Sequence, residues 1–211
     1  MKYVQLSCEE FTNETFSKAP VPGGGGVAAL VGALGTALAG MVGNLTTGKK
    51  KYAEYEQDIQ RILSEASELT ASLLEMIDQD AENFLPLSKA YGLPQETEEE
   101  KKFKSDTLQA ALKVACEGPI DIVRATYKAI ELHDELATKG STLALSDVGV
   151  GVQLLRSALI SGWLNVLINI NMINDEEYVS RIRNELEPIV ESGAKRCEEI
   201  CDKVIKALDK K

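Results

Sequence analysis

One acidic residue, Asp80, falls among apolar positions of a helix predicted over residues 52–90. The apolar stripe of that helix includes Ile77 and Phe84. At about 100° per residue, Asp80 falls near the middle of this stripe, whereas Glu82 falls well off it. A carboxylate that faces a core is costly unless it is hydrogen-bonded, protonated or open to a cavity, and desolvation raises its pKa. Asp80 is therefore a candidate general acid–base group near neutral pH, although a carboxylate held by a helix N-terminus or a lysine fits the pattern equally well.

Two asparagines on another predicted helix are candidate binding groups. This helix is expected to run from an N-cap at Ser146 to about residue 173, and its small, polar stripe carries Asp147, Asn165 and Asn169. A carboxamide both donates and accepts hydrogen bonds, so Asn165 and Asn169 could bind a heterocycle or hold a carboxylate. Asp147 is a further candidate for substrate binding. Polar contacts between helices across a dimer seam would produce the same stripe.

A run of four glycines, Gly23, Gly24, Gly25 and Gly26, precedes a helix of small residues. Glycine loses more backbone entropy in a helix than alanine does, so the run predicts a loop whose backbone approaches another group closely. The free N–H groups and the dipole of the following helix would favour an anion at this point. The run matches neither a phosphate-binding loop nor a dinucleotide-binding fingerprint, and no strand precedes it.

The helix that follows, predicted over residues 27–47, has one face almost without side chains. Small residues recur along it at steps of three or four and therefore share one face. They are Ala28, Gly32, Gly35, Ala39 and Gly43. Another backbone or a flat ligand could approach this face closely.

A run of three lysines, Lys49–Lys51, follows Gly48, which is the predicted stop of that helix. Lys49 and Lys50 could attract an anionic part of a ligand, although complementing the helix C-terminus would alone explain one or two of the lysines. The net charge of −10 leaves no extended basic face, which argues against nucleic-acid binding. Residues 19–48 are uncharged and long enough to raise the question of a membrane span, but their prolines, glycines and weakly apolar composition argue against one.

The cysteines and the one histidine give no sign of a metal or redox site. The four cysteines lack the compact spacing of a disulfide framework and suit a reducing cytosol. Cys197 and Cys201 share a helical face, but a single histidine leaves a zinc site without obvious partners, so neither a metal nor a cofactor is predicted. His133 lies in a polar run and is predicted to be an exposed helix residue. The N-terminus lacks the pattern of a signal peptide, so a cytoplasmic location is expected.

The periodicity predicts an all-α fold, a multihelical bundle of long helices in a single domain over residues 1–211. Capping boxes at Ser7 and Thr97 mark two helix starts, and Gly118-Pro119 is expected to interrupt a helix. The predicted helices cover residues 8–18, 27–47, 52–90, 97–116, 119–136, 146–173 and 176–208.

Three segments together resemble the cyclodeaminase family of folate enzymes. They are PVPGGGGVAALVGALGTALAGMVGNLTTGKKKY, DQDAENF and SDVGVGVQLLRSALISGWLNVLINI. This family includes the C-terminal half of formiminotransferase-cyclodeaminase and stand-alone bacterial methenyltetrahydrofolate cyclohydrolases. The resemblance covers nearly the whole chain, from Phe11 to about Leu208, in matching order and spacing. The block from PGGG to GKKKY is its most specific part.

The resemblance implies an all-helical homodimer that binds a tetrahydrofolate derivative in a cleft between helices and subunits. It also implies ring closure of 5-formiminotetrahydrofolate to 5,10-methenyltetrahydrofolate with release of ammonia, a reaction that needs no metal or redox cofactor. The essential aspartate of the family corresponds to Asp80, the carboxylate that helical phase singles out independently.

On this basis each remaining candidate has an expected role. The glycine run is expected to pack against the pterin, and Lys49 and Lys50 to attract the glutamate tail of the folate. Asn165 and Asn169 are expected to orient the substrate or Asp80.

Two departures from the family pattern bear on the reaction. Many relatives have a serine where this chain has Gly26, so a hydroxyl contact from that position is absent. The sequence also carries no formiminotransferase domain. Hydrolysis of 5,10-methenyltetrahydrofolate to 10-formyltetrahydrofolate is therefore the alternative reaction. The alternative of another class is a non-catalytic helical assembly module, whose small-residue and asparagine stripes would be dimer seams.

Overall fold

The computed structural model describes residues 2–209, most of which lie in six α-helices. These are α1 (Cys8–Phe16), α2 (Gly24–Asn44), α3 (Glu56–Tyr91), α4 (Glu98–Lys139), α5 (Leu145–Ile170) and α6 (Glu176–Leu208). Short 3₁₀ turns occupy Tyr3–Gln5, Lys50–Tyr55 and Thr142–Ala144. Residues 2–209 contain no strand, and the predicted all-α bundle of long helices is confirmed.

Both predicted capping boxes form. At α1 the backbone N–H of Glu10 donates to the Ser7 hydroxyl, and the backbone N–H of Ser7 donates to the Glu10 carboxylate. Thr97 and Glu100 repeat the arrangement at α4. These bonds satisfy N–H groups that have no partner within the first turn, so they determine where each helix begins.

The glycine run is helical, and the predicted loop was wrong. Gly23 is the N-cap of α2, and Gly24–Gly26 form its first turn. The helix ends at Asn44 rather than at residue 47, and Gly48, with φ of 71°, belongs to the turn beyond it. Glycine loses entropy in a helix, but at Gly24 and Gly25 the side chains of Asn165 and Asp80 lie where a Cβ would be or crowd it, so packing favours glycine at these two positions.

The helix predicted to break at Gly118-Pro119 is continuous, since both residues lie inside α4. Proline removes one N–H from the hydrogen-bond ladder of a helix. Both residues are buried, so tertiary packing rather than local propensity holds this part of α4. The N-cap of α5 was also predicted wrongly, because Ala144 rather than Ser146 occupies it.

Helices α2 and α5 are antiparallel neighbours that approach closely. A Cβ placed on Gly35 would lie 2.8 Å from Cγ of Leu155 and 3.1 Å from the carbonyl oxygen of Gly151. The close approach predicted for the small-residue face of α2 is confirmed at this point. Both helices also pack on α4, with α3 beside α2 and α6 beside α5.

His133 is buried, and its predicted exposure was wrong. It lies on α4 beneath the α2–α5 contact, where its Nε2 is 2.9 Å from the carbonyl oxygen of Gly35. A Cβ on Gly151 would overlap the imidazole, so two glycines make room for the ring. Burial lowers the pKa of His133 to about 4, against the opposing effect of the bond to Gly35. The ring is therefore neutral at pH 7, and its Nε2–H donates to Gly35.

The outer sides of α2 and α5 carry exposed apolar side chains, which we call the outer face. Its large members are Leu34, Met41, Val150, Leu164 and Ile168, which are 48% to 61% exposed. Helix α2 and the segment Thr142–Ile170 are each long and apolar enough to cross a membrane by length and composition alone. Both nevertheless pack against α4. Contiguous apolar surface of this kind is typical of an interaction site.

Candidate functional site

The carboxylate of Asp80 lies directly against the first turn of α2. Asp80 is on α3, and its carboxylate occupies the space that a Cβ on Gly25 would need. On the other side, a Cβ on Gly118 of α4 would lie 3.5 Å from the Cα of Asp80. Three helices therefore meet at one carboxylate, and the missing Cβ of Gly25 is what allows α2 to approach it.

This environment changes the acidity of Asp80. Burial raises the pKa of its carboxyl group to about 6, while the backbone N–H of Gly26, which faces the carboxylate, opposes the shift. Desolvation disfavours the charged form, whereas a hydrogen bond to that form favours it, and here desolvation is the larger effect. A carboxyl group with a pKa near 6 can both accept and return a proton close to neutral pH.

Asp80 opens into a cavity of about 260 Å³ between α2, α3, α4 and α5. The wall combines a carboxylate, two carboxamides and the start of a helix with aromatic and aliphatic surface. The lining residues are Pro20, Val21, Gly23, Gly24, Gly25, Asp80, Phe84, Ala115, Pro119, Asn165, Ile168 and Asn169. The structure thus brings together Asp80, both predicted asparagines and three of the four predicted glycines.

The two asparagines present their side-chain oxygens as free acceptors. The Nδ2 of Asn165 donates to the carbonyl oxygen of Ser161 at 2.8 Å, and the Nδ2 of Asn169 donates to that of Asn165 at 2.9 Å. A carbonyl oxygen can only accept, so the amide nitrogens face the backbone. Both side chains line the cavity, and the hydrogen bonds that they make within residues 2–209 use Nδ2 and not Oδ1.

The four glycines differ in how closely other side chains approach the position of the missing Cβ. A Cβ on Gly24 would lie 3.1 Å from both amide atoms of Asn165, and one on Gly25 would overlap Asp80. The nearest atoms to a Cβ on Gly26 would be 3.6 Å away, an ordinary contact, and Gly26 does not line the cavity. Gly23, the N-cap, lines the cavity without a close contact.

Lys49, Lys50 and Asp147 lie at the other end of the α2–α5 pair. The 21 residues of α2 span about 30 Å, so the lysines beyond its C-terminus are remote from Gly25. The N–H of Ser141 donates to the Thr46 hydroxyl at 2.8 Å, which ties the end of α2 to the start of α5, where Asp147 lies. Within one chain, these three candidates do not join the Asp80 cavity.

A larger groove, of about 790 Å³, lies on a different side of the molecule between α3, α4 and α6. Its charged side chains are largely paired, with Arg61 2.6 Å from Glu135 and Arg196 3.1 Å from Glu131. The smaller cavity is the better candidate site, because it contains the desolvated carboxylate.

Several lining residues could not be identified from sequence. Pro119 belongs to the predicted helix break and Ala115 to the end of the helix predicted before it, and a continuous α4 is what places both at the cavity wall with Asp80. Phe84 follows Asp80 by one turn, so the stripe that identified the aspartate already contained it. No group of three histidine, cysteine or acidic side chains suited to a metal ion occurs in the described part of the chain.

Comparison with known proteins identifies what the chain is similar to. The family profile described as Formiminotransferase-cyclodeaminase matches residues 7–188. A methenyltetrahydrofolate cyclohydrolase of Methylorubrum extorquens is 41% identical over 187 residues, which are 88% of this chain and 90% of that protein. The formimidoyltransferase-cyclodeaminase of Rattus norvegicus is 30% identical over 190 residues, which cover 90% of this chain and 35% of the rat protein.

A solved structure has the same fold. The crystal structure of the formiminotetrahydrofolate cyclodeaminase of Thermotoga maritima superimposes with a TM-score of 0.79 and 32% identity, covering 97% of this chain and 96% of that one.

Proposed function

The chain belongs to the formiminotransferase-cyclodeaminase family of folate one-carbon enzymes, and on that premise we propose that it converts 5-formiminotetrahydrofolate to 5,10-methenyltetrahydrofolate and ammonia. The observation that carries the proposal is Asp80, whose pKa of about 6 suits proton transfer in both directions. It faces a cavity with hydrogen-bonding groups on several sides.

Asp80 carries the proton that the ring closure must move. The formimino group on N5 reacts in its protonated form, N5–CH=NH2+. N10 of the folate attacks its carbon, and the Asp80 carboxylate accepts the N10 proton. The resulting carbon bears three nitrogens. Asp80 then returns the proton to the former imino nitrogen, which leaves as ammonia while the N5–C–N10 bridge becomes the methenyl group. No group other than this carboxyl is required to change protonation state.

The cavity size indicates which part of the folate enters it. Sites for whole drug-sized ligands have volumes of about 300–1,000 Å³, so a cavity of about 260 Å³ suits only the ring system and its one-carbon unit. Phe84 and Pro119 offer flat apolar surface to the ring, and the first turn of α2 offers N–H groups. The aminobenzoyl and glutamate parts would then extend outward past Ile168, which is 61% exposed.

A second copy of the chain would explain the distant candidates. In an antiparallel homodimer formed through the outer face, the lysine-bearing end of one α2–α5 pair would approach the Asp80 cavity of the other. Lys49 and Lys50 of the second copy could then bind the anionic tail, and Asp147 could contact the substrate. The exposed apolar side chains of the outer face support this arrangement.

Hydrolysis of 5,10-methenyltetrahydrofolate is the second candidate. It is favoured by the 41% identity to a cyclohydrolase that matches this chain over nearly its full length. The same carboxylate would take a proton from water as it attacks the methenyl carbon and return it to the departing ring nitrogen, N5. The hydroxyl proton of the intermediate is released to solvent as the formyl carbonyl forms on N10.

The deciding experiment follows methenyl-folate absorbance and ammonia after mixing the purified protein with 5-formiminotetrahydrofolate. We expect both to rise, and Asp80→Asn to lower the rate by about 10²- to 10⁴-fold. Asp78→Asn is the matched control, because it makes the same change on the same helix outside the cavity and should keep the activity.

The wild-type kcat/KM should fall about tenfold per pH unit below pH 6, since the base must be ionised.

Two other outcomes of this experiment would lead to different conclusions. Faster decay of added methenyltetrahydrofolate, without activity on the formimino compound, would establish the cyclohydrolase. Activity that survives in Asp80→Asn would contradict the assigned role of Asp80.

A further inference from the structure

The carbonyl of Ala115 lacks its usual partner within α4. In an α-helix each carbonyl oxygen accepts from the N–H four residues later, and the residue four positions after Ala115 is Pro119. Proline has no N–H, so it cannot provide that bond. Ala115 and Pro119 are both buried and both line the Asp80 cavity. A backbone acceptor without its helical donor therefore lies at the wall of the site.

The side chain of Asn169 lies against this carbonyl oxygen. Its Nδ2 lies 3.4 Å from the Ala115 oxygen, at the long end of hydrogen-bonding distance, while the same nitrogen is 2.9 Å from the Asn165 oxygen. Asn169 is 8% exposed, so its amide is held in place by packing as well as by these contacts. A carbonyl oxygen has two lone pairs, and one weak bond leaves it with acceptor capacity.

We propose that the Ala115 carbonyl is a substrate-binding acceptor for an N–H group, released from the helix by Pro119 and positioned by Asn169. Together with the Oδ1 atoms of Asn165 and Asn169 it forms a group of neutral acceptors beside the Asp80 carboxylate. Such a set of acceptors would bind a planar, nitrogen-containing part of the substrate that carries several N–H donors. The inference rests on the folate activity proposed above.

Two parts of the substrate have this chemistry. One is the terminal nitrogen of the formimino group, which leaves as ammonia. The other is the pterin ring, which has N–H and amino groups of its own. The methenyl bridge itself has no N–H.

The test is Pro119→Ala, which supplies the missing backbone N–H and so occupies the Ala115 oxygen within the helix. Alanine is a far better helix former than proline, so the variant should fold with an unchanged or higher thermal midpoint. We expect kcat/KM to fall about 10- to 100-fold, as for loss of one hydrogen bond to a polar or charged group. Pro188→Ala in α6 is the matched control, since that proline is also inside a helix but is exposed and remote from the cavity. It should leave the kinetics unchanged.

A second variant distinguishes the effect of the added N–H in Pro119→Ala from the effect of losing the proline ring. Incorporating lactic acid, the hydroxy-acid analogue of alanine, at position 119 keeps the alanine side chain but replaces the N–H with an ester oxygen. This protein should regain most of the activity that Pro119→Ala loses. Unchanged kinetics in Pro119→Ala, or a lactic acid variant as impaired as Pro119→Ala, would overturn the proposal.

Calorimetric binding of tetrahydrofolate, which has the ring but no one-carbon unit, identifies the group that is bound. Weaker binding of tetrahydrofolate to Pro119→Ala than to the lactic acid variant would assign the acceptor to the ring. Unchanged binding with a lower kcat on the formimino substrate would assign it to the departing nitrogen. A wild-type protein that binds tetrahydrofolate but turns over neither substrate would contradict the proposed function, and the ring comparison would still decide this inference. A wild-type protein that does not bind tetrahydrofolate and turns over neither substrate would contradict both.

Discussion

At the scale of single residues, the site depends on where a side chain is missing. Asp80 can lie against the backbone of α2 only because Gly25 has no Cβ. The neighbouring Gly26 faces a looser environment, in which a Cβ makes ordinary contacts. Two adjacent glycines with the same helical conformation therefore have different importance, and a serine at the position of Gly26 is accommodated.

Gly25→Ala and Gly26→Ala should separate these roles. Both changes raise helix propensity by up to about 1 kcal/mol, since alanine is favoured over glycine in a helix. Gly25→Ala must displace the carboxylate of Asp80, so we expect a loss of turnover of about 100-fold or more, the range that a general acid–base group contributes. Gly26→Ala should keep turnover and unfold at a higher denaturant concentration. Steady-state kinetics and urea unfolding measure both effects, and equal kinetics in the two variants would contradict the assigned contact.

Sequence reasoning placed Asp80 correctly on the packed side of its helix and placed His133 wrongly, and the difference has a physical reason. A lone acid in an apolar stripe is visible in helical phase, because the stripe belongs to its own helix. The burial of His133 depends on Gly35 and Gly151, which lie on two other helices. Its surroundings in the sequence are polar, so nothing local indicated a buried ring.

At the scale of helices, the two largest errors have the same cause. The glycine run was predicted to be a loop and Pro119 a break, because each residue is locally unfavourable in a helix. In the structure both segments are helical and both border the Asp80 cavity. Poor helix formers occupy positions where another group approaches closely or a carbonyl lacks its helical donor, and propensity alone cannot indicate such positions.

The contact of α2, α4 and α5 at His133 should make stability depend on pH. The pKa of His133 is about 4 in the folded protein and near 6.5 when exposed, so the unfolded chain binds more protons between these values. The neutral His133 therefore makes its full contribution to the free energy of unfolding above about pH 6.5. This contribution, about 3 kcal/mol, is lost as the pH falls towards 4.

Urea unfolding from pH 7 to pH 4 tests this against His133→Gln, which keeps a side-chain N–H for Gly35 but does not ionise. The variant should be less sensitive to acid than the wild type. The raised pKa of Asp80 acts in the opposite direction in both proteins, so it cancels in the comparison. Parallel pH profiles for the two proteins would show that the histidine does not titrate as assigned.

At the scale of the whole molecule, the predicted site residues are divided between two ends. Asp80 and the asparagines lie at one end of the α2–α5 pair, and Lys49, Lys50 and Asp147 lie at the other. The family resemblance implied that these residues serve one cleft between helices and subunits, but the length of α2 places the two groups about 30 Å apart within one chain. Only an arrangement of two chains would unite them.

Mutation of the outer face should test that arrangement. Leu34→Glu places a charge on the outer face, whereas Ile205→Glu makes the same change on α6 at a similarly exposed position, 50% compared with 53%. We expect sedimentation velocity to detect a dimer that Leu34→Glu weakens at least tenfold and Ile205→Glu leaves intact.

A mixture of inactive Asp80→Asn and Lys50→Ala chains should recover about a quarter of the wild-type activity if each site uses both chains. Failure to recover any activity would mean that Asp80 and Lys50 of each site come from the same chain, which contradicts the arrangement, and full activity of Lys50→Ala alone would place Lys50 outside the site.

The contacts made by the glycines of α2 also restrict how this helix can vary. Gly25, Gly35 and Gly43 each face atoms of another helix that would overlap or crowd a Cβ, whereas Gly26 meets ordinary contacts and Gly40 meets nothing within 4 Å. Mutations that fix in a lineage are therefore expected to accumulate on one side of α2 and to be purged from the other. The angle of each glycine around the helix axis, and not its residue type, should therefore set how fast that position evolves.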